Sequence, residues 1–113
     1  MGILFSKDED STLTIRTIQV TDFHEQYLDL LSNLYENINE NSYPYSQLEE
    51  FYHNLNDNHL ILVIEDTDKD LIVGTGTILI ESKVIHNFGL VGHIEDIVVL
   101  PEYQGLGIGK VIV

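Results

Sequence analysis

The 113-residue chain contains no cysteine, no tryptophan and only five lysine and arginine residues against nineteen acidic ones. Without cysteine it forms no disulfide and offers no thiolate as a metal ligand or nucleophile. Its formal net charge of −14 is unsuited to nucleic acid, which proteins bind by neutralising phosphates with basic side chains. No apolar run is long enough to cross a bilayer, and the hydrophobic content of 43% indicates one globular domain at this length.

The negative charge is unevenly distributed along the chain. Residues 1–70 contain 15 acidic and 3 basic residues, whereas residues 71–113 contain 4 acidic and 2 basic residues. An anionic ligand therefore meets the least electrostatic repulsion in the second of these parts.

Residues 1–11 are predicted to be a flexible tail, and residues 12–113 a folded domain. The chain starts without a basic leader or a long apolar stretch, so we expect a cytoplasmic protein. Residues 1–6 fit the M-G-x-x-x-[ST] pattern for myristoylation of Gly2, with a chance match in a disordered tail as the alternative. One myristoyl chain would give only marginal membrane association.

Residue periodicity predicts an α/β domain in the order strand, helix, helix, three strands and a glycine-rich turn. Strands are predicted over residues 13–18, 59–65, 71–81 and 91–100, and the glycines at 74 and 76 indicate either a bulge or the close approach of another group. An amphipathic helix is predicted from Asp22, where Glu25 completes a capping box, and a second from Ser46, where Glu49 does so. The polar loop 66–70 predicts an antiparallel hairpin.

The segment 104–110, QGLGIGK, follows the last predicted strand and has the composition of a phosphate-binding turn. It is not a Walker A loop, because Gln104 stands where a glycine is needed and Val111 follows the lysine. It is not a G-x-G-x-x-G fingerprint either, because Lys110 or Ile112 stands at the last position. The pattern that matches is Q-x-x-G-x-G, whose glycines let backbone N–H groups converge on a pyrophosphate, although a plain chain-reversing turn fits the same residues.

Q-x-x-G-x-G directly after a strand resembles the acetyl-CoA pyrophosphate loop of the GNAT acetyltransferases. Two upstream pieces narrow the resemblance, namely residues 81–86, ESKVIH, and residues 92–97, GHIEDI. In this order and spacing they look like the glucosamine 6-phosphate N-acetyltransferases, in which E-x-K-x-I-H and G-H-I-E-D-I precede Y-Q-G-x-G-x-G-K. The resemblance is close in this C-terminal part of the chain and extends to the rest only in layout.

This resemblance implies the GNAT fold, an α/β (α+β) domain with a mixed, mostly antiparallel sheet and flanking helices. It implies acetylation of glucosamine 6-phosphate by acetyl-CoA, a step toward UDP-N-acetylglucosamine, through direct attack of the amine on the thioester and without a metal. The residues that it implies are Glu95 and Asp96 for catalysis; Lys83, Val84, Ile85 and His86, with Glu95 and Asp96, for the substrate; and Ile97, Val98, Val99, Gln104, Gly105, Leu106, Gly107, Ile108, Gly109 and Lys110 for the cofactor.

Some of these assignments have alternatives. Successive strand side chains point to opposite faces, so Glu95 and Asp96 cannot both face one site unless a bulge redirects one of them. An ordinary polar loop is the alternative for Lys83 to His86, and His93 is interpreted as a packed strand residue. Where the family has a threonine near the substrate, after the first helix, this chain has Tyr35.

The family forms homodimers and takes the tyrosine that protonates the leaving thiolate from beyond the pyrophosphate loop. We therefore expect the chain, which stops at Val113, to be truncated after that turn and to be an incomplete form of a homodimeric enzyme. Two other functions stay open. One is acetylation of another amine, such as a polyamine or a basic peptide, to which the acidic surface is suited. The other is a non-catalytic CoA-binding or dimerisation module.

If backbone amides of residues 104–110 hold the pyrophosphate, side-chain bulk should matter more than side-chain charge. Gly107→Val in the full-length protein should block the approach of the phosphates and weaken CoA binding far more than Lys110→Ala, as measured by calorimetric titration. A larger loss of affinity from Lys110→Ala would contradict the backbone cradle.

Overall fold

The computed structural model of the chain describes residues 3–6, 12–39 and 41–104. Five strands form one sheet in chain order, and every neighbouring pair is antiparallel. The strands are β1 (Ile3–Ser6), β2 (Thr12–Thr17), β3 (His59–Asp66), β4 (Leu71–Ser82) and β5 (Leu90–Val99). No helix within these described ranges has the length and apolarity that crossing a membrane requires.

The four predicted strands are confirmed, each to within one residue at either end. The polar loop between β3 and β4 closes the predicted hairpin, with Asp66 opposite Leu71. In this loop the backbone N–H of Asp68 donates to a carboxylate oxygen of Asp66 at 3.2 Å, and Asp70 adopts a left-handed φ of 51°. Aspartate suits such a turn because its short side chain bonds to the nearby backbone and tolerates positive φ.

The prediction of a flexible tail over residues 1–11 is wrong for β1. Its four residues pair with β2, from Ile3 opposite Ile15 to Ser6 opposite Thr12. The physical reason is that β2 would otherwise leave a row of unpaired backbone groups at the edge of the sheet, and an apolar segment is close by in the chain to pair with it. Residues 1, 2 and 7–11, and with them the predicted myristoylation site at Gly2, lie outside the described residues.

Helix α1 covers residues 20–31 in three successive segments, Val20–Asp22, the π-helical Phe23–Tyr27 and Leu28–Leu31. It begins before the predicted Asp22, because that carboxylate reaches back and accepts a hydrogen bond from the backbone N–H of Gln19 at 2.7 Å. The guanidinium group of Arg16 donates to both oxygens of the same carboxylate, at 2.7 and 3.0 Å. Asp22 therefore closes the first turn of α1 and also attaches α1 to β2.

Helix α2, Tyr45–His53, begins directly after Pro44 and one residue before the predicted Ser46. Both helices cover the same face of the sheet. There Phe23 packs edge-to-face against Tyr27, Phe51 and Tyr52, with ring centroids 5.0 to 6.1 Å apart. A smaller buried cluster lies on the opposite face of the sheet and contains Leu13, Ile15, Ile64, Val73 and Tyr103.

After β5 the chain makes a short 3-10 turn, Pro101–Tyr103, which leads into Gln104 at the start of the glycine-rich segment. The Tyr103 hydroxyl donates to a carboxylate oxygen of Asp66 at 2.5 Å, and both side chains are buried. Burial and this hydrogen bond both favour the neutral phenol, and they raise the pKa of Tyr103 to about 12. The contact ties the chain in front of the glycine-rich segment to the end of β3.

The raised pKa of Tyr103 should make the protein lose stability in alkaline solution. Below about pH 10 the phenol is neutral in the folded and unfolded states alike. Between about pH 10 and pH 12 only the unfolded chain releases this proton, so the free energy of unfolding should fall by about 1.4 kcal/mol per pH unit. Tyr27, whose pKa is also raised to about 12, should add a similar slope.

Denaturant unfolding of Tyr103→Phe across this pH range checks the assignment. The variant should be less stable at neutral pH by about 1–3 kcal/mol, because the buried carboxylate of Asp66 loses the donor to one of its two oxygens. Its alkaline slope should nevertheless be shallower than that of the wild type. An unchanged slope in Tyr103→Phe would show that this phenol does not titrate as described.

Candidate active site

The pairing between β4 and β5 contains a β-bulge in its middle. Thr77 lies opposite Glu95 and Thr75 lies opposite Val98, so that Gly76 alone faces two residues of β5. This confirms the bulge that the glycines at 74 and 76 predict. The pairing between β3 and β4 has a second shift of register, between Ile64 and Glu65 of β3. Bulges of this kind re-aim side chains and are common beside active sites.

At the bulge Asp96 has a φ of 52°, in the left-handed region that aspartate tolerates better than most residues. Glu95 faces the helix side of the sheet, because it pairs with Thr77 and the Thr77 side chain hydrogen-bonds to Tyr27 of α1. The carboxylate of Asp96 also reaches the helix side, where it contacts Tyr35. The bulge therefore redirects Asp96, so that its carboxylate and that of Glu95 lie on the same face of the sheet.

Two tyrosines from α1 and the turn that follows it meet this pair of carboxylates. Tyr27 is buried, and desolvation together with the negative charge of Asp96 raises its pKa to about 12. Tyr35 is 48% exposed, and its hydroxyl donates a hydrogen bond to Oδ1 of Asp96. That bond and the charges of Asp96 and Glu95 raise the pKa of Tyr35. Both phenols therefore stay protonated at neutral pH.

A cleft of about 290 Å³ opens between α1, α2 and the bulge. Its walls are mainly apolar and aromatic, with Phe23, Leu31 and Phe51 among them, and Asp96 supplies a charged group. An apolar cleft with few polar groups is the usual form of a small-molecule site. The contact between Tyr35 and Asp96 at this cleft spans 61 residues of sequence, and no local pattern predicts it.

The predicted substrate loop, Lys83 to His86, follows β4 at the end of the β4–β5 pair, on the His93 side of the bulge. Nζ of Lys83 and Nε2 of His93 both lie 3.0 Å from Oε1 of Glu81, and hydrogen bonds from His93 and Lys83 lower the pKa of Glu81. His93 is 47% exposed at its side chain, so its interpretation as a packed residue is wrong. It shares a face with Glu95, two residues or roughly 7 Å further along β5.

The rest of this loop is a left-handed turn, Ile85–Phe88, in which His86 and the two residues after it have φ values of 57° to 62°. The backbone N–H of Lys83 donates to the carbonyl of Gly89 at 2.9 Å and closes the turn. The side chains of Val84 and Ile85 are 77% and 64% exposed. The structure thus brings Lys83 to the face that carries Glu95, and it leaves the other three predicted loop residues at the exposed end of the hairpin.

The predicted cofactor residues are described only in part. Ile97, Val98 and Val99 form the end of β5, with Val98 buried, and Nε2 of Gln104 donates to the Val99 carbonyl at 3.0 Å. Gly105, Leu106, Gly107, Ile108, Gly109 and Lys110 lie outside the described residues. In the part of the chain that the structure covers, no three His, Asp or Glu side chains are grouped so as to hold a metal ion.

Comparison with known proteins gives the class to which this fold and site belong. Residues 21–113 match the sequence profile of the acetyltransferase (GNAT) family. The crystal structure of glucosamine-6-phosphate N-acetyltransferase from Arabidopsis thaliana superposes with a TM-score of 0.73 at 30% identity, covering 88% of this chain and 68% of that chain. The chain therefore belongs to the GNAT acetyltransferase family, and the predicted fold class is confirmed.

Curated relatives narrow the class. Glucosamine 6-phosphate N-acetyltransferase of Arabidopsis thaliana is 32% identical over 102 residues, which cover 90% of this chain and 68% of the relative. Probable glucosamine 6-phosphate N-acetyltransferase of Drosophila melanogaster is 35% identical over 105 residues, which cover 89% of this chain and 46% of the relative. The predicted resemblance to the glucosamine 6-phosphate N-acetyltransferases is thereby confirmed. The chain spans about two thirds of the length of the first relative and less than half of the second.

The left-handed conformation of Asp96 gives a stability test of the bulge. Asp96→Val should lower the free energy of unfolding by about 1–2 kcal/mol, because a β-branched side chain is disfavoured at positive φ. Asp96→Asn and Asp96→Gly should change it much less. Glu95→Val is the matched control, since the neighbouring position is an ordinary strand position that accepts valine. Equal thermal stability of Asp96→Val and Asp96→Gly would contradict the bulge geometry.

Proposed function

We propose that the protein transfers the acetyl group of acetyl-CoA to the amine of glucosamine 6-phosphate. The observation that carries the proposal is a row of charges along one face of the β4–β5 pair. Carboxylates stand at the bulge, and the Lys83–Glu81–His93 cluster begins roughly 7 Å away along β5. A molecule with an amino group at one end and a phosphate at the other matches this arrangement. The names of the relatives support the same acceptor.

At the acidic end, Glu95 and Asp96 attract the ammonium form of the sugar amine. Glu95 is the more exposed of the two and takes the proton of the ammonium, directly or through a water molecule. The free amine then attacks the thioester carbonyl and forms the carbon–nitrogen bond. As the carbon–sulfur bond breaks, the nitrogen gives up its second proton and the leaving CoA thiolate takes up one, so that the amide and the CoA thiol are the products. The apolar walls of the cleft limit the competing attack by water.

At the cofactor end, the backbone of Ile97, Val98 and Val99 lies directly after the bulge and provides a strand edge for the pantetheine arm. Backbone N–H groups at the bulge stabilise the oxyanion that forms on the thioester carbonyl. Gln104, bonded to the Val99 carbonyl, joins this edge to the predicted pyrophosphate loop, Gly105 to Lys110.

At the basic end, the sugar phosphate replaces Glu81 as the partner of Lys83 and His93. A phosphate offers more charge and more acceptor oxygens than one carboxylate, so this exchange favours the phosphorylated sugar. The exposed loop residues Val84, Ile85 and His86 line the approach to this end. The place of the reaction in UDP-N-acetylglucosamine biosynthesis, the homodimer, the cytoplasmic location and the lipidation of Gly2 stay predictions.

The basic end predicts how the enzyme distinguishes acceptors. In an assay of thiol release, glucosamine 6-phosphate should have a kcat/KM about 10- to 100-fold above that of free glucosamine, because binding of the phosphate positions the amine. Lys83→Ala should remove most of this difference and leave free glucosamine unchanged. Lys69→Ala, a lysine of the β3–β4 turn, should keep the full preference. Equal efficiency on the two sugars, or a preference for spermidine, would contradict the proposed acceptor.

A further inference from the structure

Tyr35 reaches the bulge from the turn that directly follows α1. It stands four residues after Leu31, the last residue of α1, and its backbone N–H donates to the Leu31 carbonyl at 3.0 Å. α1 is itself fixed to the sheet by Leu28 and Leu30, which are 3% and 1% exposed. The phenol is therefore delivered to the carboxylate of Asp96 by a packed helix, and its position does not depend on a long loop.

The carboxylate of Asp96, which accepts this hydrogen bond, lies next to a second negative charge, that of Glu95. The left-handed φ of Asp96 places its side chain on the same face as Glu95, within a chain of net charge −14. Two neighbouring anions repel each other, and an aspartate that nothing holds turns away from its neighbour. The ion pairs observed among the described residues use Asp22, Glu65 and Glu81. Asp96 receives a neutral phenol from Tyr35 instead.

A neutral donor has a consequence that a cation would not have. A lysine or arginine at position 35 would cancel the charge of Asp96 and compete with the ammonium group of a substrate. A phenol satisfies one lone pair of Oδ1 and leaves the negative charge in place. Tyr27 lines the same cleft and is affected by the charge of Asp96, whereas the hydrogen bond that Asp96 accepts comes from Tyr35.

We propose that Tyr35 is a positioning residue for the acceptor amine: its hydroxyl holds one oxygen of Asp96, so that the other oxygen and Glu95 both face the ammonium group. This inference rests on the proposed function, since it assigns the acceptor end of that site. Tyr35 acts through Asp96 and takes no part in the chemical step itself.

Steady-state kinetics of Tyr35→Phe on the complete protein tests this role. The variant keeps the ring and removes the donor, so kcat/KM for glucosamine 6-phosphate should fall about tenfold, the lower end of the range for a hydrogen bond to a charged group. The KM for acetyl-CoA and the melting temperature should stay at the wild-type values. Tyr45→Phe makes the same change in a tyrosine of α2 that lies outside the Tyr35–Asp96 contact, and it should leave kcat/KM and the KM for acetyl-CoA at the wild-type values. Wild-type kcat/KM in Tyr35→Phe would overturn the proposal.

A double-mutant cycle separates an action through Asp96 from an independent structural effect. Asp96→Gly keeps the backbone conformation and removes the carboxylate, so adding Tyr35→Phe to it should cause no further loss of kcat/KM. Additive losses would overturn the assignment.

A readout that needs no turnover complements the cycle. With ring-labelled tyrosine followed by NMR, the pKa of the Tyr35 phenol should lie above the ordinary tyrosine range in the wild type and fall toward it in Asp96→Gly. An ordinary pKa in the wild type would overturn the contact itself. A raised pKa in a wild type that does not acetylate glucosamine 6-phosphate would instead overturn the proposed function, and with it the role given to the contact.

Discussion

Two residues of β5 face the single residue Gly76 of β4, and this mismatch in pairing organises the site around it. In a regular antiparallel pair Glu95 and Asp96 would point to opposite faces of the sheet. The bulge puts Asp96 into a left-handed conformation, which costs on the order of 1–2 kcal/mol, and the paired strands on both sides hold it there. Side chains that sequence adjacency would separate are thereby brought to one face.

The bulge also divides β5 into two functional parts. The strand before it carries His93 and Glu95 on the helix side, in the row that we assign to the acceptor. The strand after it carries Ile97 to Val99 and leads through Pro101–Tyr103 to Gln104, in the part that we assign to the cofactor. In the proposed function one continuous strand serves both substrates, because the register of its pairing with β4 changes between the two parts.

Neutral hydrogen-bond donors accompany acidic groups on both faces of the sheet. Tyr35 donates to Asp96 at the mouth of the cleft, and Tyr103 donates to the buried Asp66 on the opposite face. In the first pair the phenol is a neutral donor, and the carboxylate keeps the negative charge to which we assign the substrate amine. In the second the phenol satisfies a carboxylate that water does not reach, and it fixes the chain in front of the glycine-rich segment. The same kind of contact thus fixes the chain at one place and, in the role that we propose for Tyr35, supports binding at the other.

Local pattern alone was sufficient for the strands and the hairpin, because β-branched runs and polar turns are local signals. The strand glycines predicted either a bulge or the close approach of another group, and the register between β4 and β5 decided for the bulge. Motif spacing was sufficient for the family. The start of α1 lies before the predicted residue, because Asp22 closes the first turn from inside the helix while it binds Arg16 of β2. Part of the predicted tail forms β1, because it pairs with β2. Only the tertiary structure decided that Glu95 and Asp96 share a face, that His93 is exposed beside Glu81 and that Tyr35 meets Asp96. The physical reason is that each of these features joins residues 12 or more positions apart or depends on the register between two strands. Periodicity and propensity describe a side chain's own strand or helix, and they do not specify its partner across the sheet.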